Sequence, residues 1–378
     1  MQVNQLKSKP HFPILDGLRG IAALMVVAFH LCEAHATSRF DQFINHGYLA
    51  VDFFFVLSGF VIGYAYDDRW GKITIGDFIK RRLIRLQPMV IIGSIIGGIC
   101  FYFQASDFFP LIAKTPIWKM LIVMLIGCTL LPIPKSMDIR GWQEMHPLDG
   151  PAWSLFFEYI GNILYALFVR KFSNTLLSIL VFLCGAVLIH LTVTSPNGDI
   201  IGGWSIDPTQ LYIGFTRLMY PFFSGLLLYR LVKPGKMKHG FLLSAILIVI
   251  VLAIPRIGGK ENIWQNGLYD ALNIIITFPI IVYLGASGEL KGNFQNKICK
   301  FLGDISYPIY ITHYPLIYIY TAWAKDNKIS LQEGLPLASL VFIASLTLAY
   351  VCLKFYDEPV RAWLKKSVFM RGKNPAKV

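Results

Sequence analysis

Apolar residues run in long blocks along this chain, separated by short polar and basic stretches. About 20 apolar residues are needed to cross the hydrocarbon core as a helix. The pattern predicts ten crossings, over residues 14–33, 49–66, 86–103, 153–170, 174–194, 210–231, 240–256, 267–286, 301–323 and 335–355. One further apolar run, Trp118 to Leu131, precedes the polar stretch Pro132 to Asp149. A full crossing there would switch the side of every later loop. It is therefore expected to be re-entrant or half-depth on the outer face, since irregular backbone at that depth must be buried in protein or line a cavity. The expected fold is an all-α polytopic membrane protein of about ten transmembrane helices with both termini cytoplasmic.

Composition supports this. Hydrophobic residues make up 55% of the 378 positions and charged residues 15%, against roughly 25% charged in a soluble domain. A cytosolic enzyme and a nucleic-acid-binding module are excluded, although the net charge is +13. The basic excess sorts by side instead: 25 of the 35 Lys and Arg residues fall on one face, 9 on the other, and Arg217 lies within a span. Cytoplasmic loops collect such residues. The first run, followed by Ala34-His35-Ala36, also has features of a cleaved signal peptide. Arg19 and His30 within it, and the polytopic chain beyond, favour a retained helix. The six cysteines are scattered singly, without metal-ligand spacing, so no metal is expected. No internal repeat or phosphate-binding glycine loop is present.

Ionisable residues inside the spans carry the chemistry, because each is costly in hydrocarbon unless it lines a cavity or finds a partner. Counting from the span ends places His30, Asp52, Glu158 and His313 near one depth, in the outer half of the bilayer. His30 stands 11 residues above Arg19, or about 16 Å along a helix. Lys80, Arg81, Arg82 and Arg85 cluster just before the third expected span. Arg82 and Arg85 share a helix face and, with Arg19, suit a phosphorylated ligand. A phosphate pocket at the inner surface and a His/carboxylate layer above it imply a coenzyme with its reactive end on a long arm.

These residues also carry a family resemblance. Leu15-Asp16-Gly17-Leu18-Arg19-Gly20 with His30 ten residues after Arg19 resembles the R-x10-H motif of the membrane-bound acyltransferase 3 family. Gly47 to Gly59 (GYLAVDFFFVLSG) is similar to its second-span signature, and Arg82-Leu83-Ile84-Arg85 to its R-x-x-R element. Pro151-Ala152-Trp153-Ser154-Leu155-Phe156-Phe157-Glu158 resembles its W-S-L-x-x-E element, and Ile305 to His313 its late S-Y-x-x-Y-x-x-H helix. The resemblance extends to Asp357-Glu358-Pro359. It implies an acyltransferase 3 transmembrane domain over residues 1–360 and a basic cytoplasmic tail over 361–378. It also implies a multi-pass protein of the bacterial inner membrane that O-acetylates envelope or exported glycans or lipid-linked sugars. Many bacterial relatives carry an extracytoplasmic SGNH domain. Here the chain ends soon after the last expected span, and the expectation is that the membrane domain itself acylates the acceptor.

The expected roles follow. A sugar hydroxyl attacking a thioester needs a base, and histidine suits that task at neutral pH; His30 is the candidate. Glu158, ahead of Asp52, is expected to fix its tautomer. Trp153, Ser154, Asp52, Tyr310 and His313 are candidate acceptor-binding groups, and Arg19, Arg82 and Arg85 candidate ligands for acetyl-CoA or another acyl-CoA. Direct transfer and an acyl-His30 intermediate both fit the sequence. The competing class is a transporter, since intramembrane histidines and carboxylates also relay protons, but transporters often show repeats and none is seen here. Glycan acceptor and membrane lipid are the expected partners, and nucleic acid is not.

Overall fold

The computed structural model describes residue 9 and residues 11–369. Among these residues there are helices and turns and no strand. The helices are α1 (Pro13–Glu33), α2 (Ala50–Tyr66), α3 (Ile75–Cys100), α4 (Pro110–Lys114), α5 (Ile117–Gly127), α6 (Ala152–Leu167), α7 (Asn174–Thr194), α8 (Pro208–Leu231), α9 (Gly240–Ala253), α10 (Ile263–Leu272), α11 (Phe278–Ser287), α12 (Gly292–Thr312), α13 (Tyr314–Asp326), α14 (Leu331–Cys352) and α15 (Glu358–Phe369). Single π-helical turns join α10 to α11 and α14 to α15.

Seven helical segments among the described residues are long and apolar enough to cross a membrane: 13–33, 47–66, 75–104, 174–194, 208–231, 263–287 and 331–368. The remaining three expected spans take other forms. The span 153–170 is the 16-residue α6, followed by a short turn at Val169–Lys171. The span 240–256 is the 14-residue α9, which stops before Pro255 because a residue preceding proline is driven out of the helical region. The span 301–323 is broken at His313. Pro315 has no N–H to give and its ring opposes the carbonyl four residues back, so α12 ends at Thr312 and α13 starts afresh. α5 has 11 residues, a length of roughly 17 Å, against the ~30 Å of a hydrocarbon core.

Two boundaries also move. The basic cluster from Lys80 to Arg85 lies inside α3, because Thr74 and Asp77 form a reciprocal capping box that starts the helix at Ile75. Residues 361–369 continue α15, while 370–378 of the expected tail lie outside the described residues. Glycines set the closest helix crossings. A Cβ on Gly20 would strike the Leu302 carbonyl, bringing α1 against α12, and a Cβ on Gly59 or Gly225 would strike the Phe222 or Val56 carbonyl, locking α2 to α8.

Candidate active site

Among the described residues, three cavities adjoin one another through shared walls. A vestibule of about 1000 Å³ is walled by residues including Asp16, Arg19, Arg85, Lys300 and Arg361. It shares Arg19, Arg85 and Tyr307 with a narrow cavity of about 90 Å³, which also touches Ser58, Arg82, Ser154 and Glu158. That cavity shares Val51 and Tyr310 with an outer cavity of about 620 Å³ containing His30, Glu33, Trp153 and Glu144.

Arg19 is fixed from α12 and from its own helix: its Nε donates to Ser306 Oγ at 2.8 Å, and its Nη2 to Asp16 Oδ1 at 3.1 Å. Arg82 is buried and turns inward, donating through Nη2 to Glu158 Oε1 at 2.6 Å, an oxygen that also accepts from Ser58 Oγ at 2.8 Å. Arg85, one turn along α3, lines both vestibule and narrow cavity and is exposed there. Ser154 Oγ donates to the Pro151 carbonyl at 2.9 Å, leaving it to accept from Tyr310 OH at 2.7 Å. Tyr310 thus stands between the narrow and outer cavities with its hydroxyl oriented.

His30 sits in the last turn of α1. Its Nδ1 is 2.8 Å from Glu33 Oε2, and its ring lies 4.7 Å from Tyr314 and 5.8 Å from His313, centroid to centroid. A carboxylate accepts only, so Nδ1 carries the proton and Nε2 is left unprotonated in the neutral ring. His313 is fully buried at the helix break. Its Nδ1 donates to the Ile309 carbonyl at 2.9 Å, while its Nε2 has no hydrogen-bond partner among the described residues.

The four titratable groups expected in one layer therefore separate into three settings. His30 and His313 are neighbours. The expected partnership of Glu158 with His30 does not form, because Glu158 faces the narrow cavity and holds Arg82. Asp52 is fully buried between α2 and α8, and both of its oxygens accept from Arg217, Nη2 at 2.7 Å and Nε at 3.2 Å. It lines none of the three cavities, although Arg217 and Trp153 line the outer one. Arg82, expected as a phosphate ligand, lines the narrow cavity and is absent from the vestibule wall.

Sequence reasoning passed over Glu33, although its i,i+3 spacing from His30 was the available signal. It also passed over Ser58, Ser306, Tyr314 and Arg217, whose partners are distant in sequence. The outer mouth is aromatic: Trp142, Trp153 and Trp204 share it with Tyr314 and Tyr318. Glu144, from the stretch between α5 and α6, accepts from Tyr318 OH at 2.8 Å. Burial pushes its carboxyl up to about 7, although Arg140 opposes the rise. Burial likewise pushes the nearby His146 down to about 4. Among the described residues no group of three or more His, Cys, Asp or Glu could hold a metal ion.

A family model described as an acyltransferase domain matches residues 12–354, nearly the whole described chain. The chain belongs to the acyltransferase 3 family. As a member of that family it is 36% identical over 165 residues to Protein 2 in picA locus of Rhizobium radiobacter, covering 41% of this chain and 81% of that protein. It is 23% identical over 382 residues to O-acetyltransferase OatA of Staphylococcus aureus, covering 95% of this chain and 59% of that protein. The acyltransferase 3 chain thus spans about six tenths of the length of OatA. No solved structure matches it.

Proposed function

We propose that this protein is a multi-pass O-acyltransferase that moves an acyl group, in the simplest case acetyl, from acyl-CoA onto a hydroxyl of an envelope or exported glycan or lipid-linked sugar. The observation that carries the reading is the row of three cavities with shared walls, basic at one end and holding His30 with an aromatic mouth at the other. Membership of the acyltransferase 3 family and the resemblance to an O-acetyltransferase support it. In this reading the chain crosses the bacterial cytoplasmic membrane ten times, using the seven long segments together with α6, α9 and the α12–α13 pair. The basic vestibule then opens to the cytoplasm.

The coenzyme's phosphates rest against Arg19 and Arg85, and its thin arm runs through the narrow cavity toward Tyr310. The acceptor lies in the outer cavity against the tryptophans, which offer the flat apolar faces that sugar rings stack on. His30 Nε2 takes the proton from the attacking hydroxyl while Glu33 holds Nδ1–H. A C–O bond forms at the thioester carbonyl, the C–S bond breaks, and the proton passes from His30 to the departing thiolate. The Tyr310 hydroxyl stabilises the charge on the carbonyl oxygen by turning its one proton from Ser154 Oγ to that oxygen as the charge develops. Glu158 keeps Arg82 neutralised in the passage, Asp52 holds Arg217 beside the acceptor, and His313 packs against the base as a neutral ring.

The test is transfer of radiolabelled acetyl from acetyl-CoA to the glycan fraction of inside-out membrane vesicles. Loss of a positioned base costs typically 10²- to 10⁴-fold, so His30→Ala at matched expression should leave at most about a hundredth of the label. Transfer at the wild-type rate by His30→Ala would overturn this reading.

A further inference from the structure

The vestibule wall contains four carboxylates, Asp16, Asp304, Asp357 and Glu358, which would repel an anionic ligand if they stood alone. Each is already paired: Asp16 with Arg19 at 3.1 Å, Asp304 with Lys300 at 2.8 Å, Asp357 with Arg361 at 2.6 Å and Glu358 with Lys354 at 2.5 Å. Two wall cations make no ion pair or hydrogen bond with another described residue. One is Arg85, at the entrance to the narrow cavity. The other is Lys365, exposed on α15 and absent from the narrow cavity. The unpaired cations therefore stand on two different helices, α3 and α15.

Arg361 and Lys365 are four residues apart and so share one face of α15, and both line the vestibule. Arg361 is held at the base of that face by Asp357, whose side chain is only 2% exposed, and it retains guanidinium donors beyond that contact. A ligand carrying one anionic group, or phosphates in a single run, is served by Arg85 with Arg19. A second basic pair on another helix matches a second phosphate borne elsewhere on the ligand.

We propose that Arg361 and Lys365 form a second phosphate subsite of the acyl-CoA donor, taking the isolated phosphate on its ribose while Arg19 and Arg85 take the diphosphate. This rests on the acyltransferase reading and adds a recognition element from the C-terminal helix, which the motifs of the first half of the chain do not contain.

The experiment is calorimetric titration of the purified full-length protein in detergent with CoA and with 3′-dephospho-CoA, which differ only in the ribose phosphate. A hydrogen-bonded charge pair contributes about 1.5–3 kcal/mol, so wild type should bind CoA at least about ten-fold more tightly than dephospho-CoA. The double variant Arg361→Gln/Lys365→Gln should reduce that ratio to near one, with both ligands weakened alike by the unpaired Asp357. Removing Arg361 also unpairs Asp357, so the exposed Lys365→Gln alone serves as the second variant and should lower the ratio about three-fold. A wild-type ratio near one overturns the subsite, as does an unchanged ratio in both variants. Binding of neither ligand to folded wild type removes the acyl-CoA reading itself, and the subsite with it.

Discussion

At the scale of single residues, the proposed base and the carboxylate beside it come from one turn of one helix. His30 and Glu33 face each other because residues three apart on a helix are neighbours, and their contact at 2.8 Å fixes which nitrogen is free. If Glu33 acts by orienting the ring, glutamine should largely replace it, since its carbonyl oxygen also accepts from Nδ1–H. Glu33→Gln is expected to retain most of kcat and Glu33→Ala to lose about ten-fold, with KM for acetyl-CoA unchanged in both, as for a group that serves the chemical step without holding the coenzyme. Equal losses in the two variants, or a loss confined to KM, would remove Glu33 from the mechanism. Counting residues from span ends put His30 and His313 in one layer with Glu158 and Asp52, and the motif match favoured Glu158 as the partner of His30, whereas the carboxylate in contact with His30 is Glu33. Such a count fixes height along the membrane normal and leaves the direction around each helix open. Glu158 at a plausible height points at Arg82, and Asp52 points at Arg217.

At the scale of elements, the site depends on one crossing built from two glycines. Gly59 and Gly225 place α2 and α8 in backbone contact, and the same two helices carry Asp52 and Arg217, an ion pair whose partners are fully buried. Gly225→Ala would put a methyl group against the Val56 carbonyl, and the helices must part to admit it. Breaking a buried pair by losing one partner typically costs 3–5 kcal/mol, and stretching it costs a share of that. The expected outcome is a melting temperature several degrees lower in detergent, with a Gly71→Ala control, which adds its Cβ to open space, unchanged. Equal melting of the two variants would show that the crossing tolerates a side chain. Most helices were legible because apolar length is a direct physical requirement for crossing. The misread boundaries have local causes that apolar runs do not show: the capping box at Thr74 that starts α3 in polar sequence, Pro255 that cuts α9 short, and Pro315 that breaks the helix at His313. The last of these was readable in principle, and it is what gives His313 its place.

At the scale of the whole molecule, the row of cavities draws on helices from both ends of the chain, and no linear pattern announces it. Side-sorting of basic residues gave an expected cytoplasmic face, but the pairing of vestibule carboxylates with cations and the arrival of α15 at the vestibule required the fold. The outer end has an acid–base character of its own that makes a global prediction. Glu144 is buried with its carboxyl raised to about 7, above an ordinary value of 4.5, and His146 is buried with its ring lowered to about 4, below an ordinary value of 6.5. The fold favours protonated Glu144, so that contribution to stability is complete below about pH 4.5 and is lost as pH rises through 7. The fold favours neutral His146, so its contribution is complete above about pH 6.5 and is lost as pH falls through 4. Between these limits the two slopes oppose each other and the wild-type curve is flattened. Glu144→Gln keeps a group able to accept from Tyr318 but cannot ionise, which leaves the His146 slope exposed. Its melting temperature should therefore gain on wild type steadily from pH 4.5 to 7, whereas His146→Gln should lose ground over the same range. Parallel curves for all three proteins would mean that neither group changes its protonation on folding, and the buried outer wall would have to be more open to water than its packing against Tyr318 and Arg140 allows.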